Sequence, residues 1–303
     1  MEQIIAALTH GTFQKPIFGA ARFDEASFPD GVKLGNSHFK GAAVFQGAHF
    51  TNEAVFDSAL FERNADFRDS TFKGKARFGA CRFSRASRFE RASFGGGGIF
   101  DRVRFEQHAR FDNVEIRLRA SFTGSVFARG AYFVEASLGA AHLSNVVFSD
   151  ESYFAGATFR GGAWFRNSLF KKSVAFGGAT FLDILRMEGC HFSGAAQFEN
   201  CTFTGAAHLN HASFDGAARF NGAKFFKQSQ FEKVSFRRSV NFRAASLAGA
   251  ASFSGAEFHQ TVSFDNTYFG SSARFDQATF PVATHVGPLL CAGTLHWSGA
   301  EFA

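Results

Sequence analysis

The sequence predicts an all-β solenoid, and three observations carry that prediction. Large apolar residues fall at Phe39, Phe45, Phe50, Phe56, Phe61, Phe67, Phe72, Phe78, Phe83, Phe89 and Phe94, with steps alternating six and five. Two positions before almost every one sits a small residue, as in Ala43, Ala48, Ala54, Ala59, Ala65, Ser70, Ala76, Cys81, Ser87 and Ala92. The chain of 303 residues spends 45 of them on Phe but only three on Tyr and two on Trp, so its interior rests on a single large side chain. A period of eleven carrying two Phe is neither helical nor that of a simple strand, and such self-similarity marks a repeat architecture.

In chain order, residues 1–12 form the first element. Ile4, Ile5 and Leu8 share one side of a candidate short helix, which would cap the open end of the array. This apolar run is too short to cross a bilayer and lacks the basic start of a signal peptide, so a cytoplasmic location is expected. Residues 13–303 read as one continuous domain, because a linear core grows with the array. Phe13, Phe18, Phe23 and Phe28 are spaced by fives, and the alternation starts at Leu34. It slips once, where Leu138, Leu143 and Phe148 follow at five and five, one residue short. It then runs from Phe154 to Phe280 and closes with the weaker Val286, Cys291, Trp297 and Phe302. Gly95–Gly98 keep the phase and replace outward side chains.

Physically, the Phe and the residue two before it point inward, and the intervening residues turn a corner. Those intervening positions are rich in Gly, Ser, Asp, Asn, Lys and Arg, which suits turns and solvent. Stacked coils pair their backbones about 4.8 Å apart, and the Phe rings bury large apolar area in columns. Phe45, Phe50, Phe56, Phe61, Phe67, Phe72, Phe78, Phe83 and Phe89 are the predicted structural core. Two geometries satisfy the spacing. Four units per turn give a coil of about 22 residues, and two units give a flat, two-sided solenoid with about 11 residues per coil. Cys190 and Cys201 discriminate, being stacked in the flat form and on different faces in the square one.

The pattern in Ala76-Arg-Phe-Gly-Ala-Cys-Arg-Phe83 and Ala207-His-Leu-Asn-His-Ala-Ser-Phe214 resembles the pentapeptide-repeat proteins, in their Phe-rich variant of alternating five- and six-residue units. The resemblance spans residues 13–302. It implies a right-handed quadrilateral parallel β-helix, the longer of the two coils, with the six-residue unit absorbed as a wider corner. It also implies a non-enzymatic interaction or scaffold protein. Some members imitate duplex DNA and protect DNA gyrase, a topoisomerase, but that role needs a strongly negative surface.

Candidate chemistry is sparse. Cys81, Cys190 and Cys201 take the small inward position and Cys291 a large apolar one, the usage of reduced, buried thiols. His191 points outward beside Cys190, so no metal site is expected, and no cofactor motif is present. His38 and His49, His285 and His296, and the pair His208 and His211 read as surface residues. Ser residues occupy small or turn positions, and no nucleophile or phosphate loop stands out, so an enzyme is not expected.

Charge says more. The chain carries a net +6, and residues 62–119 hold fourteen Arg and Lys against eight Asp and Glu, which accounts for all of it. Arg77, Arg82, Arg85, Arg88, Arg91, Arg102, Arg104 and Arg110 form the candidate interaction band, fitted to an acidic protein, nucleic acid or an anionic surface. Exposed aromatics at the position before an inward residue are few (Tyr132, Tyr153, Trp164 and Tyr268), which gives little support to single-strand binding. Phe302-Ala303 carries no cap, and an open strand edge there would allow end-to-end homodimerisation.

Overall fold

A computed structural model describes residues 15–280 and 287–302. The cap predicted over 1–12, together with Phe13, His285, Val286 and Ala303, lies outside the described residues. The chain divides into two compact units, Met1–Asp150 and Glu151–Ala303.

In the first unit, one coil contains the two-residue strands His38–Phe39, Ala43–Val44, His49–Phe50 and Ala54–Val55. The next strand, Leu60–Phe61, lies parallel on His38–Phe39 with Phe39 opposite Phe61. Four strands therefore complete one turn, and the step from Phe39 to Phe61 is the coil length. Leu60–Phe61 continues to Arg82–Phe83, and Ala43–Val44 to Ala65–Asp66, at the same interval. The second unit repeats this geometry, with Thr180–Phe181 on Thr202–Phe203 and Leu185–Arg186 on Ala207–His208. The solenoid is four-sided, as the resemblance implied. Cys190 and Cys201 fall at opposite corners, before the first and third faces, which excludes the flat form.

The five- and six-residue units make different corners. After Phe45, the two residues Gln46-Gly47 turn the chain, closed by the Ala48 amide donating to the Phe45 carbonyl at 3.0 Å. Gly47 has φ +67°, and the residue at the equivalent corner is left-handed in coil after coil, including Asn36, Ser58, Asp69, Ala80, Arg91 and Arg102. Glycine accepts that region freely, whereas an L side chain there costs roughly 1–2 kcal/mol. The six-residue unit inserts a third corner residue, as in Lys40-Gly41-Ala42. Among the described residues this wider corner turns left-handed only at glycine, at Gly31 and Gly97.

Inside, the rings form four columns. Phe39 stacks on Phe61 at 4.7 Å, Phe45 on Phe67 at 4.9 Å, Phe50 on Phe72 at 4.6 Å and Phe56 on Phe78 at 4.7 Å. The second and fourth columns interlock edge-to-face, Phe56 meeting Phe45 at 84° and Phe67 at 84°. All nine core Phe, from Phe45 to Phe89, are fully buried. Cross-packing of this kind prevents a ring from rotating without disturbing three neighbours.

The phase slip has a definite place. Glu115–Ser121 and Ser137–His142 run as long strands through the corner between the third and fourth faces. Ile116 pairs with Leu138, a full coil on, but Arg119 pairs with Ala140, one position short of a full coil. The missing residue is a corner residue, and no inward side chain changes face. Gly139 carries the shortened corner, since a Cβ there would stand 1.9 Å from the Leu118 carbonyl oxygen. Around it the columns hold Ile116, Leu138 and Leu143 in place of Phe, all buried. Aliphatic side chains fill an irregular gap that stacked rings cannot.

Replacing Phe89, which stacks on Phe67 and Phe111 and meets Phe78 and Phe100 edge-on, should cost about 3–5 kcal/mol as Phe89→Ala. Urea denaturation with native-state hydrogen exchange checks this, and a cost below about 1 kcal/mol would refute the interlocked core.

Candidate interaction surface

The fold aims one residue per strand outward, so each face carries a ladder of side chains one coil apart. The eight arginines of the predicted band occupy three faces and the corners between them. On the first face Arg82 and Arg104 are register partners and share Glu106, at 2.8 and 3.2 Å. The second face runs Asp66, Arg88, Arg110, Tyr132. There the Arg110 guanidinium sits 4.7 Å from the Tyr132 ring centroid and 3.3 Å from Asp112. Arg77, on the fourth face between Val55 and Ile99, pairs with Asp57 at 2.5 Å and approaches Glu53 at 3.8 Å. At the corner between the second and third faces, Arg91 pairs with Asp69 at 2.7 Å. Arg85, Arg88 and Arg102 make no ion pair among the described residues.

Most of these pairs link adjacent coils, so opposite charges far apart in sequence meet only because the coil length brings them into register. Exposed pairs of this kind contribute about 0–1 kcal/mol each; their main effect is to set which cations remain outside an ion pair. Those are Arg85, Arg88 and Arg102 together with Arg63, Lys73, Lys75 and Arg119, the last four outside the predicted band. Lys75 and Arg119 sit on the same corner two coils apart, with Gly97 between them. The signal that would have found them is like charge at the same corner position in coils two turns apart, legible only once the coil length is fixed.

Acids also align. Asp69, Glu90, Asp112 and Glu135 fall at the corner between the second and third faces in successive coils. This row is interleaved with arginine, through Arg68 on Asp66 at 2.6 Å, Arg91 on Asp69 and Arg110 on Asp112. The Arg91 hydrogen bond holds the Asp69 carboxyl below the usual carboxylate range. Burial pushes Glu90 and Asp112 upward, and Glu90 Oε2 is buried with no hydrogen-bond partner among the described residues.

Elsewhere the candidate chemistry disperses. His38 and His49 lie on the first and third faces and do not form a ladder. His38 meets Glu62 at 2.6 Å, and His191 meets Asp215 at 3.0 Å. Among the described residues no cluster of His, Cys, Asp and Glu could hold a metal ion. The thiols of Cys81, Cys190 and Cys201 donate to the carbonyls of Phe56, Phe165 and Phe176, in the preceding coil, at 2.9–3.1 Å. Ser125 and Thr267 do the same from equivalent positions. Burial raises Cys81 strongly, and Cys190 and Cys201 to about 12. Cys291 is only partly covered.

Parallel two-residue strands, four to a turn around stacked Phe, define a repeat solenoid whose surface is a set of short ladders. The family model for pentapeptide repeats (9 copies) matches residues 34–82, 67–115, 138–180, 154–202, 176–224, 198–246 and 220–268. These matches cover more than half of the chain, which therefore belongs to the pentapeptide-repeat family. A search of curated proteins returned no match. No helix among the described residues is long and apolar enough to cross a membrane.

The environment of Glu90 makes stability depend on pH. The folded state holds the Glu90 proton more tightly than the unfolded chain, so the carboxylate opposes folding above its folded pKa, and the opposition disappears as pH falls through that value. Glu90→Gln should raise the urea midpoint at neutral pH and lose its advantage near about pH 4; an advantage that grew with acidity would contradict this. Native protein should label with a maleimide at Cys291 alone, and in denaturant at all four thiols. Rapid native labelling of Cys81, Cys190 or Cys201 by mass spectrometry would show that the coils open.

Proposed function

We propose that this protein is a non-catalytic scaffold that docks an acidic macromolecular partner, most simply a protein, on its basic coils. The observation that carries this reading is the arrangement of charge between residues 62 and 119. Cations and carboxylates are laced together across coils, leaving a positive surplus that lies mostly on the corners beside them. Inward positions of the two-residue strands are taken up by packing, and the histidines and thiols are dispersed, so the variable chemistry of the chain lies on its outward ladders. Rigid ladders lose little entropy on docking, which favours recognition by flat contact, and the positive surplus steers an acidic partner to it.

Imitation of duplex DNA towards gyrase, the role some family members have, gains no support from the electrostatics. The row of acids between the second and third faces is threaded by Arg68, Arg91 and Arg110, and the net charge is +6.

The test is a comparison of two baits in an extract of the source cells. The native chain should capture a discrete acidic protein that elutes with rising salt, and a variant carrying Arg82→Glu, Arg88→Glu, Arg104→Glu and Arg110→Glu should not. Equal capture by both baits, or recovery of nucleic acid alone, would overturn the proposal. In parallel, stoichiometric excess of the protein should leave gyrase supercoiling in the presence of an inhibitor unrescued.

A further inference from the structure

On the fourth face of the first unit a depression of about 520 Å³ opens between Lys75, Arg77, Arg102 and Arg119, with Asp57 and Asp101 also in its wall. Four cations against two carboxylates leave a surplus of two positive charges.

The carboxylates are already engaged. Asp57 accepts from the Gly79 amide at 2.8 Å and from Arg77 at 2.7 Å. Asp101 Oδ1 accepts from Ser121 Oγ at 2.5 Å and from the Thr123 amide at 3.0 Å. Arg77 is thereby fixed in the frame. Lys75 and Arg102 spend no side-chain donor on another side chain among the described residues, and Arg119 reaches only the Ser121 hydroxyl, at 3.4 Å. Lys75 and Arg119 stand on one edge of the face and Arg102 on the other.

Between these cations the wall is made of small residues, Gly79, Ala80 and Ser58. Gly97 lies between Lys75 and Arg119 on the corner, at φ +91°, where a Cβ would press within 2.9 Å of the Arg119 carbonyl oxygen. A side chain at that corner would be strained, and half-buried Ile99 supplies the apolar floor of the depression. Two coils separate Lys75 from Arg119, roughly 10 Å at the strand spacing. Long side chains from both can converge across it, and two linked phosphoryl groups offer oxygens to Lys75 and Arg119 at once, with Arg102 on the third side, where a single group offers fewer. Guanidinium forks match phosphoryl oxygens in geometry as well as charge.

We propose that this depression is a binding site for a small diphosphate-bearing ligand, held by Lys75, Arg102 and Arg119 over Ile99. The site rests on cations other than Arg82, Arg88, Arg104 and Arg110, so loss of partner capture and loss of ligand binding are read in different variants. It takes free diphosphate and does not require a nucleic-acid backbone.

Isothermal titration of the full chain with inorganic pyrophosphate tests this. Binding should be saturable at one site, weaken as salt rises, and exceed that of orthophosphate at least tenfold. Lys75→Gln, Arg102→Gln and Arg119→Gln should each weaken it about tenfold or more, while Arg85→Gln, which removes an unpaired arginine from another corner, should leave it unchanged. Ile99→Glu, which places a carboxylate in the depression, should abolish binding, and a native circular dichroism spectrum confirms that each variant is folded. Absence of binding at millimolar pyrophosphate would overturn the site. So would an equal loss in Arg85→Gln, or a duplex oligonucleotide that competes for all the arginines alike.

Discussion

One distance governs this molecule. Parallel strands hydrogen-bond at about 4.8 Å, and the Phe rings attached to them stack at 4.4–5.3 Å along their columns. Backbone and side chains must accept the same repeat, and a flat ring accepts it where a branched aliphatic leaves gaps or crowding. This is why 45 of 303 residues are Phe and why the residue two places earlier is small. The second and fourth columns then interlock edge-to-face, so the ring geometry fixes the cross-section as firmly as the hydrogen bonds fix the rise.

Much of this was legible in the chain, because a column of identical side chains leaves a period that local sequence cannot hide. The slip between Leu138 and Phe148 was visible too, although only the pairing of Arg119 with Ala140 places the missing residue in a corner. The coil length was not legible from spacing alone, since two units per turn and four units per turn satisfy the same pattern. The left-handed corners were there to be read in Asn36, Gly47, Gly124, Asn167 and Asn200, but Ser58, Ala80 and Arg91 occupy the same position and obscure the signal. Those residues tolerate φ > 0 because the columns on either side leave the corner no other path.

The surface was the least legible part. Whether Arg82 is free or tied depends on Glu106, one coil and two residues away, and Arg91 depends in the same way on Asp69, one coil back. A charge count over 62–119 registers the surplus but not its distribution. The structure shows a neutral weave over much of the zone, with unpaired cations concentrated at a few corners. Lys75 and Arg119 matter there although no local feature distinguishes them, because coil stacking brings both to the depression over Ile99.

The short corner at Gly139 bears on how such a chain finds its own pairing. An array of near-identical coils can mate one turn out of place at little energetic penalty, since most Phe would still meet a Phe. The shortened turn ends that degeneracy. Only Glu115–Ser121 offers a strand onto which the shortened Ser137–His142 fits, and only Ile116, Leu138 and Leu143 fill the altered interior. A defect in the repeat thus serves as an address, giving an otherwise periodic chain one place from which the others can be counted.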